Sequence, residues 1–222
     1  GSGFIDWQGI NFDGQHVIRP RTVGTPLLEC ADGPGWANPQ TGKFDDQRIT
    51  GLDGNRYGPL PREWCKFLGL YKHAEQSVYS YQIGEVKVLE THALGSSQSF
   101  VRHLRIGKSS KPLAFRTPGQ KILLNQPLDY KKQGANEYIV SVKPENTPLD
   151  LVIQADPKDG EELPPPVKFE DLTQGGPSQW NERISTQVIR GKQPGAFQSD
   201  EYSLPIDNPW NARLRASGLD FS

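Results

Sequence analysis

The chain contains no methionine and only two cysteines, Cys30 and Cys65, in 222 residues. Two thiols are too few for a metal cage or a disulfide-dense scaffold. Two alternatives stand: one bridge, or two buried free thiols. A Cys30–Cys65 bridge would close a loop of about 35 residues, constrain the unfolded chain by roughly 4 kcal/mol and imply an oxidising compartment. No run of about 20 apolar residues exists, which excludes a membrane-spanning helix, and no basic-then-apolar signal segment opens the chain. An excess of either charge is also missing. With 25 Lys and Arg against 26 Asp and Glu, the net charge is −1, and no long-range field draws a polyanion, so nucleic acid is not an expected partner. The thiol spacing for covalent haem attachment is absent, and His16, His73, His92 and His103 are scattered, with no pair at a spacing that holds zinc or iron.

What the chain has in excess is turn formers. Its 23 glycines and 19 prolines exceed average shares of about 7% and 5%, and both residues weaken helix interiors. Asp13-Gly14, Asp32-Gly33-Pro34-Gly35, Asn38-Pro39, Thr41-Gly42, Asp53-Gly54-Asn55 and Gly58-Pro59 each reverse the backbone. A short strand at residues 25–31 fits between them. Phe4, Trp7, Phe12, Trp36, Phe44 and Tyr57 are the apolar anchors for these loops. Residues 60–69 predict a two-turn helix: Pro61 lies in its first turn, Leu60, Trp64 and Phe67/Leu68 recur at three- to four-residue spacing, and Gly69 sits at the stop.

From residue 70 to 155 the pattern alternates with period two. Tyr79, Tyr81 and Ile83 oppose Val78, Ser80 and Gln82; Phe100, Arg102, Leu104 and Ile106 oppose Val101, His103 and Arg105. Strands are likewise predicted at 138–142 and 149–154, with a tight reversal at Ile83-Gly84-Glu85-Val86. Strands at this spacing without helical crossovers predict an all-β fold, an antiparallel β-sandwich of jelly-roll or Greek-key type with long Gly/Pro-rich loops and one short helix. The expected organisation is a sandwich domain over 1–155, an acidic Pro-rich linker over 156–166 and an extended segment over 167–222. Within that segment Trp180 is a predicted anchor and residues 186–190 a short strand. Both chain ends read as cut from a longer polypeptide, with Asn208-Pro209-Trp210 leading into another folded unit.

The search for chemistry yields few groupings. Pro34 denies the loop Gly33-Pro34-Gly35-Trp36 the N–H groups that cradle a phosphate. Ser96, Ser97 and Ser99 lack a strand-to-helix elbow. Asp32, Asp45, Asp46 and Asp53 with Asn38 and Asn55 could wrap calcium among the turns, although their spacing is not that of a calcium loop, and turn capping uses the same residues. The five tryptophans admit either core packing or a sugar-stacking platform, for which Trp36, Tyr57 and Trp64 are the candidates. No catalytic constellation emerges.

Gly3-Phe4-Ile5-Asp6-Trp7, Gly33-Pro34-Gly35-Trp36-Ala37, Gly58-Pro59-Leu60-Pro61-Arg62-Glu63-Trp64, Thr173-Gln174-Gly175-Gly176-Pro177 and Asn208-Pro209-Trp210 through Phe221 together resemble an uncharacterised domain family. In large secreted bacterial proteins that domain precedes a β-propeller similar to sorbosone and glucose dehydrogenases, often with a c-type cytochrome domain further on. The resemblance implies a periplasmic or extracellular location, a propeller or cytochrome domain of the same parent as partner, and haem c only elsewhere in that parent. It supplies no catalytic residue. Where some relatives carry a second histidine this chain has Arg19, which weakens metal binding by that loop. The reading is a non-catalytic β-domain for docking or for shaping a ligand face, with Trp180 and Trp210 as docking residues; the alternative is a carbohydrate-binding module.

Overall fold

β-branched and aromatic residues alternating with polar ones favour a pleated backbone that buries one face, and the chain obeys that pattern over most of its central part. The computed structural model describes residues 5–6, 21–25, 28–95, 99–176, 182–192, 195 and 197–212. It divides into two units, Gly1–Gly176 and Pro177–Ser222. In the first, β1 (Ile5–Asp6) pairs with β2 (Arg21–Thr22) and β3 (Ile49–Thr50) with β4 (Arg56–Tyr57). The main strands follow: β5 (Cys65–His73), β6 (Gln76–Ile83), β7 (Val86–Leu94), β8 (Phe100–Ile106), β9 (Leu113–Pro118), β10 (Ile122–Leu124), β11 (Asp129–Lys132), β12 (Glu137–Val142) and β13 (Leu149–Ala155).

These build a six-stranded sheet in the order β10-β13-β8-β7-β6-β5 and a three-stranded sheet β11-β12-β9, with every pairing antiparallel. β5 to β8 form a meander. After β8 the chain moves to the smaller sheet and returns, so that β13 inserts between β10 and β8. Ile83, Val88, Leu104, Ile106, Leu151 and Ile153 of the large sheet pack with Leu113, Phe115, Val140 and Val142 of the small one in a single buried cluster. This is the core of an all-β sandwich, and each such side chain contributes about 1.5–3 kcal/mol on burial. The segment Gly35-Trp36-Ala37 extends the small sheet along β9: Ala37 N donates to Ala114 O at 2.8 Å and Arg116 N to Gly35 O at 2.7 Å.

The strands expected around residues 78–83, 100–106, 138–142 and 149–154 form, and the reversal between β6 and β7 turns at Gly84 with φ +57°. Residues 60–69 do not form the expected helix. A single turn, in which Trp64 N and Cys65 N both donate to Pro61 O, leads straight into β5. Tertiary packing overrides the local pattern: Trp64 is 1% exposed, and β6 supplies β5 with main-chain partners. A bulge between Phe67 and Gly69 inserts Leu68, which is how a strand acquires helix-like apolar spacing. No strand forms at the described residues among 25–31.

Among the described residues the one helix is α1 (Phe169–Leu172). Residues 156–168 carry neither helix nor strand, and beyond them α1 returns to the sheet face opposite the core. Buried Phe169 lies under the Arg105 guanidinium, 5.7 Å from its ring centre, while Arg105 pairs with Asp150 at 2.6 Å and with Glu170. In the second unit β14 (Val188–Ile189) pairs with β15 (Glu201–Tyr202). Among the described residues no helix is long and apolar enough to cross a membrane.

Candidate functional site

Strands β5 to β8 are seven to nine residues long, whereas those of the smaller sheet are four to six. The register shows what lies on the inner face beyond the apolar core. Phe67 opposes Tyr81, Leu70 opposes Tyr79, Tyr79 opposes Glu90, His92 opposes Arg102 and Leu94 opposes Phe100. Directly opposed residues share a face, so the surface that holds Ile83, Val88 and Leu104 continues into aromatic and charged side chains. Phe67, Leu70, Tyr79 and Leu94 are exposed there, Phe67 at 64% and Tyr79 at 43%.

A polar cluster sits where the face changes character. Glu90 Oε1 accepts from Arg102 Nε at 2.5 Å and from His92 Nε2 at 2.8 Å; Oε2 accepts from Tyr81 OH at 2.5 Å and from Arg102 Nη2 at 3.2 Å. Trp36 Nε1 donates to Tyr81 OH at 3.1 Å, and Arg102 Nη1 donates to Arg116 O at 3.1 Å. Burial alone would raise the Glu90 pKa, but the Arg102 charge and the hydrogen bonds from His92, Arg102 and Tyr81 outweigh it and hold the carboxyl well below the usual range. Burial and the adjacent carboxylate push the Tyr81 phenol up. For Arg102 burial acts downward, yet Glu90 keeps its pKa raised.

The chemical consequence is a locked ion pair. A general acid or base works best with a pKa near the operating pH, and Glu90, its pKa depressed, stays ionised at neutral pH with about four acceptor sites occupied. Since an ionised carboxylate only accepts, His92 donates from Nε2 to Glu90. The His92 ring is held between Tyr79, at 5.9 Å centroid separation, and Phe100, stacked at 5.1 Å. Trp36, Cys65, Phe67, Tyr79 and His92, with the Glu90–Arg102 pair and Tyr81 between them, line a shallow cleft of about 370 Å³.

The residues singled out in the sequence fall elsewhere or take other roles. Trp36 is 6% exposed and packs on Phe115, with ring centres 4.8 Å apart; Trp64 donates Nε1 to Trp36 O at 3.2 Å. Both indoles are core, so Trp36, Tyr57 and Trp64 do not form an exposed platform. Tyr57 is exposed on the β3–β4 hairpin and donates to Asp53 at 2.5 Å. Cys30 is exposed, Cys65 half-buried, and both are free thiols; burial raises the Cys65 pKa.

Asn38, Asp46, Asp53 and Asn55, four of the calcium candidates, are engaged locally. Asp46 pairs with Arg48 at 2.7 Å, a contact that lowers its pKa to about 2. Asp53 binds Asn55 and Tyr57, and Asn38 caps Gln40 N at 2.9 Å. Among the described residues no group of three or more His, Cys, Asp or Glu could hold a metal ion. Ser99 accepts from Gln154 Nε2 at 2.7 Å and donates to Glu161 at 3.0 Å. Trp210 is half-buried in the second unit, and Trp180 lies outside the described residues.

Glu90, His92, Arg102, Phe67 and Tyr79 escaped sequence reasoning. One signal was available: Arg102 alternates in phase with Leu104 and Ile106, a charge on an apolar face that calls for a buried partner. No curated protein and no solved structure matches the chain. Residues 1–90, a span that takes in Trp36, Trp64, Phe67, Tyr79 and Glu90, match a family described only as a domain of unknown function (DUF6797).

Proposed function

We propose that this chain is a non-catalytic β-sandwich module of a larger secreted or periplasmic redox protein, in which the sandwich presents a ligand-facing surface and the second unit docks to a propeller or cytochrome domain of the same parent. The observation that carries the reading is the saturated Glu90 carboxylate beside an uncovered aromatic face. The buried charges hold each other and are unsuited to acid–base work, while Phe67, Leu70, Tyr79 and Leu94 stay in solvent, where apolar surface marks a binding site. Docking by the second unit is supported by its exposed apolar side chains: Val188, Ile189, Phe197, Tyr202, Leu204 and Ile206. The propeller, the cytochrome and the extracytoplasmic location follow from the resemblance described above.

Docking is tested by mixing the full chain with the separately produced propeller and cytochrome domains of its parent and following hydrogen exchange. Protection concentrated in residues 182–212 is expected. Unchanged exchange throughout that segment with both domains would reject it.

A further inference from the structure

We propose that residues 161–176 are a pH-sensitive strap, closed on the outer face of the large sheet while His103 beneath them is neutral and released from it when that imidazole takes up a proton. This device is independent of the binding and docking roles above.

The register sets Thr91, His103 and Val152 in one row on the face that points away from the sandwich core, with Val101 and Gln154 in the row on one side and Arg105 and Asp150 in the row on the other. They are nonetheless buried: Gln154 and Val152 are 0% exposed, Thr91 2% and His103 4%. The chain that follows β13 lies on this face at three points. Glu161 accepts from Ser99 Oγ at 3.0 Å, and Ser99 accepts from Gln154 Nε2. Phe169 is buried under the Arg105 guanidinium while Glu170 pairs with the same arginine. At the far end a side chain on Gly176 would come within 2.8 Å of the His73 Cα on β5. The row of His103 lies between the first two of these contacts. The strap adds no strand to the sheet, and its one turn of helix does not persist in isolation. Lifting it breaks those contacts and leaves the sandwich intact.

A neutral imidazole is tolerated under the strap, whereas an imidazolium is not. His103 Nδ1 has no hydrogen bond among the described residues, so protonation places a buried N–H there without an acceptor. The neighbouring elements supply no counter-ion. On β8 the next residue on the same face is Arg105, a like charge; β7 presents uncharged Thr91, with His92 on its reverse side; β13 presents Val152, and its Asp150 is held by Arg105. Of the strap's carboxylates, Glu170 is held by Arg105 and Glu161 by Ser99 and Lys158 N, and its remaining charged side chains are exposed. Burial and His92 accordingly lower the His103 pKa. Opening the strap restores a hydrated imidazole of pKa about 6.5, so the open state binds the proton more tightly and gains population as pH falls below that value.

Hydrogen exchange of the full chain at about pH 7.5 and about pH 5, corrected for the chemical exchange rate at each pH, tests the strap. Peptides covering residues 161–176 are expected to exchange about tenfold faster at the lower pH, while those of β7 and β12 keep their protection. His103→Gln should remove the acid-induced rise with near-ultraviolet dichroism unchanged. Glu170→Gln, which loosens the Arg105 clamp, should speed exchange of the strap at the higher pH and retain the rise. Strap exchange that is the same at both pH values overturns the proposal and means that Gln154 Oε1, unpaired among the described residues, accepts the added N–H in place. A rise that survives in His103→Gln overturns it as well, as does simultaneous loss of protection throughout the sheet, which is global unfolding.

Discussion

Glu90 and Arg102 meet in a two-point contact, Nε to Oε1 at 2.5 Å and Nη2 to Oε2 at 3.2 Å, on the sheet face that a few residues away is lined only by valine, leucine and isoleucine. Arg102 also lies over the Phe115 ring, 5.2 Å from its centre, so the pair is joined to both sheets. Such a pair contributes little net stability over an apolar replacement, yet losing one member leaves the other buried and uncompensated.

Arg102→Met is accordingly expected to destabilise the fold by about 3–5 kcal/mol, and Glu90→Leu/Arg102→Met together by far less than the single change. Urea denaturation of the two variants against the parent measures this. Equal losses in the single and double variants would show that packing of the arginine stem, not its charge, is what counts.

Trp64→Ala removes a fully buried indole and its hydrogen bond to Trp36 O. A loss of about 3–5 kcal/mol is expected, against a small effect for Leu94→Ala, whose side chain is exposed. Thermal unfolding of both variants checks the contrast.

His103 is buried on the opposite sheet face between Thr91 and Val152 of the adjacent strands, and its Nδ1 has no hydrogen bond among the described residues. Burial, reinforced by His92, lowers its pKa from 6.5. The unfolded chain therefore binds the proton more readily, so stability is complete above the unfolded value and declines as pH falls below about 6.5 toward the folded pKa. The depressed Glu90 carboxyl acts in a lower window, its contribution lost only as pH falls below about 4.5. His103→Gln should flatten the decline between pH 7 and 5 and leave the acid limb intact. Denaturation midpoints across pH decide the point.

Cys30 and Cys65 should both titrate as thiols in denaturant. In the native protein Cys30 reacts fast and Cys65 slowly, because burial keeps the Cys65 thiol protonated. A mass two daltons below the reduced value in non-reducing buffer would show a bridge instead.

Much of the sandwich was legible because its strands obey a period of two, and alternation is a local property that needs no knowledge of the partner strand. Residues 60–69 misled for an equally local reason. The bulge at Leu68 gives Trp64 and Leu68 helical spacing, and only the pairing with β6 shows that they belong to an extended chain. The candidate site was nearly invisible: Phe67, Tyr79, His92 and Arg102 lie on four different strands, and no motif links them.

The sequence alone determined the all-β class and the positions of β6, β8, β12 and β13, since turn chemistry and alternation act between near neighbours. Only the tertiary structure decided which aromatic rings are buried and which are exposed. Trp36 and Trp64 enter the core because β9 and the turn at Pro61 carry them there, while Phe67 and Tyr79, on the same large sheet, are exposed. Exposure is set by what packs opposite, and that partner lies far away along the chain.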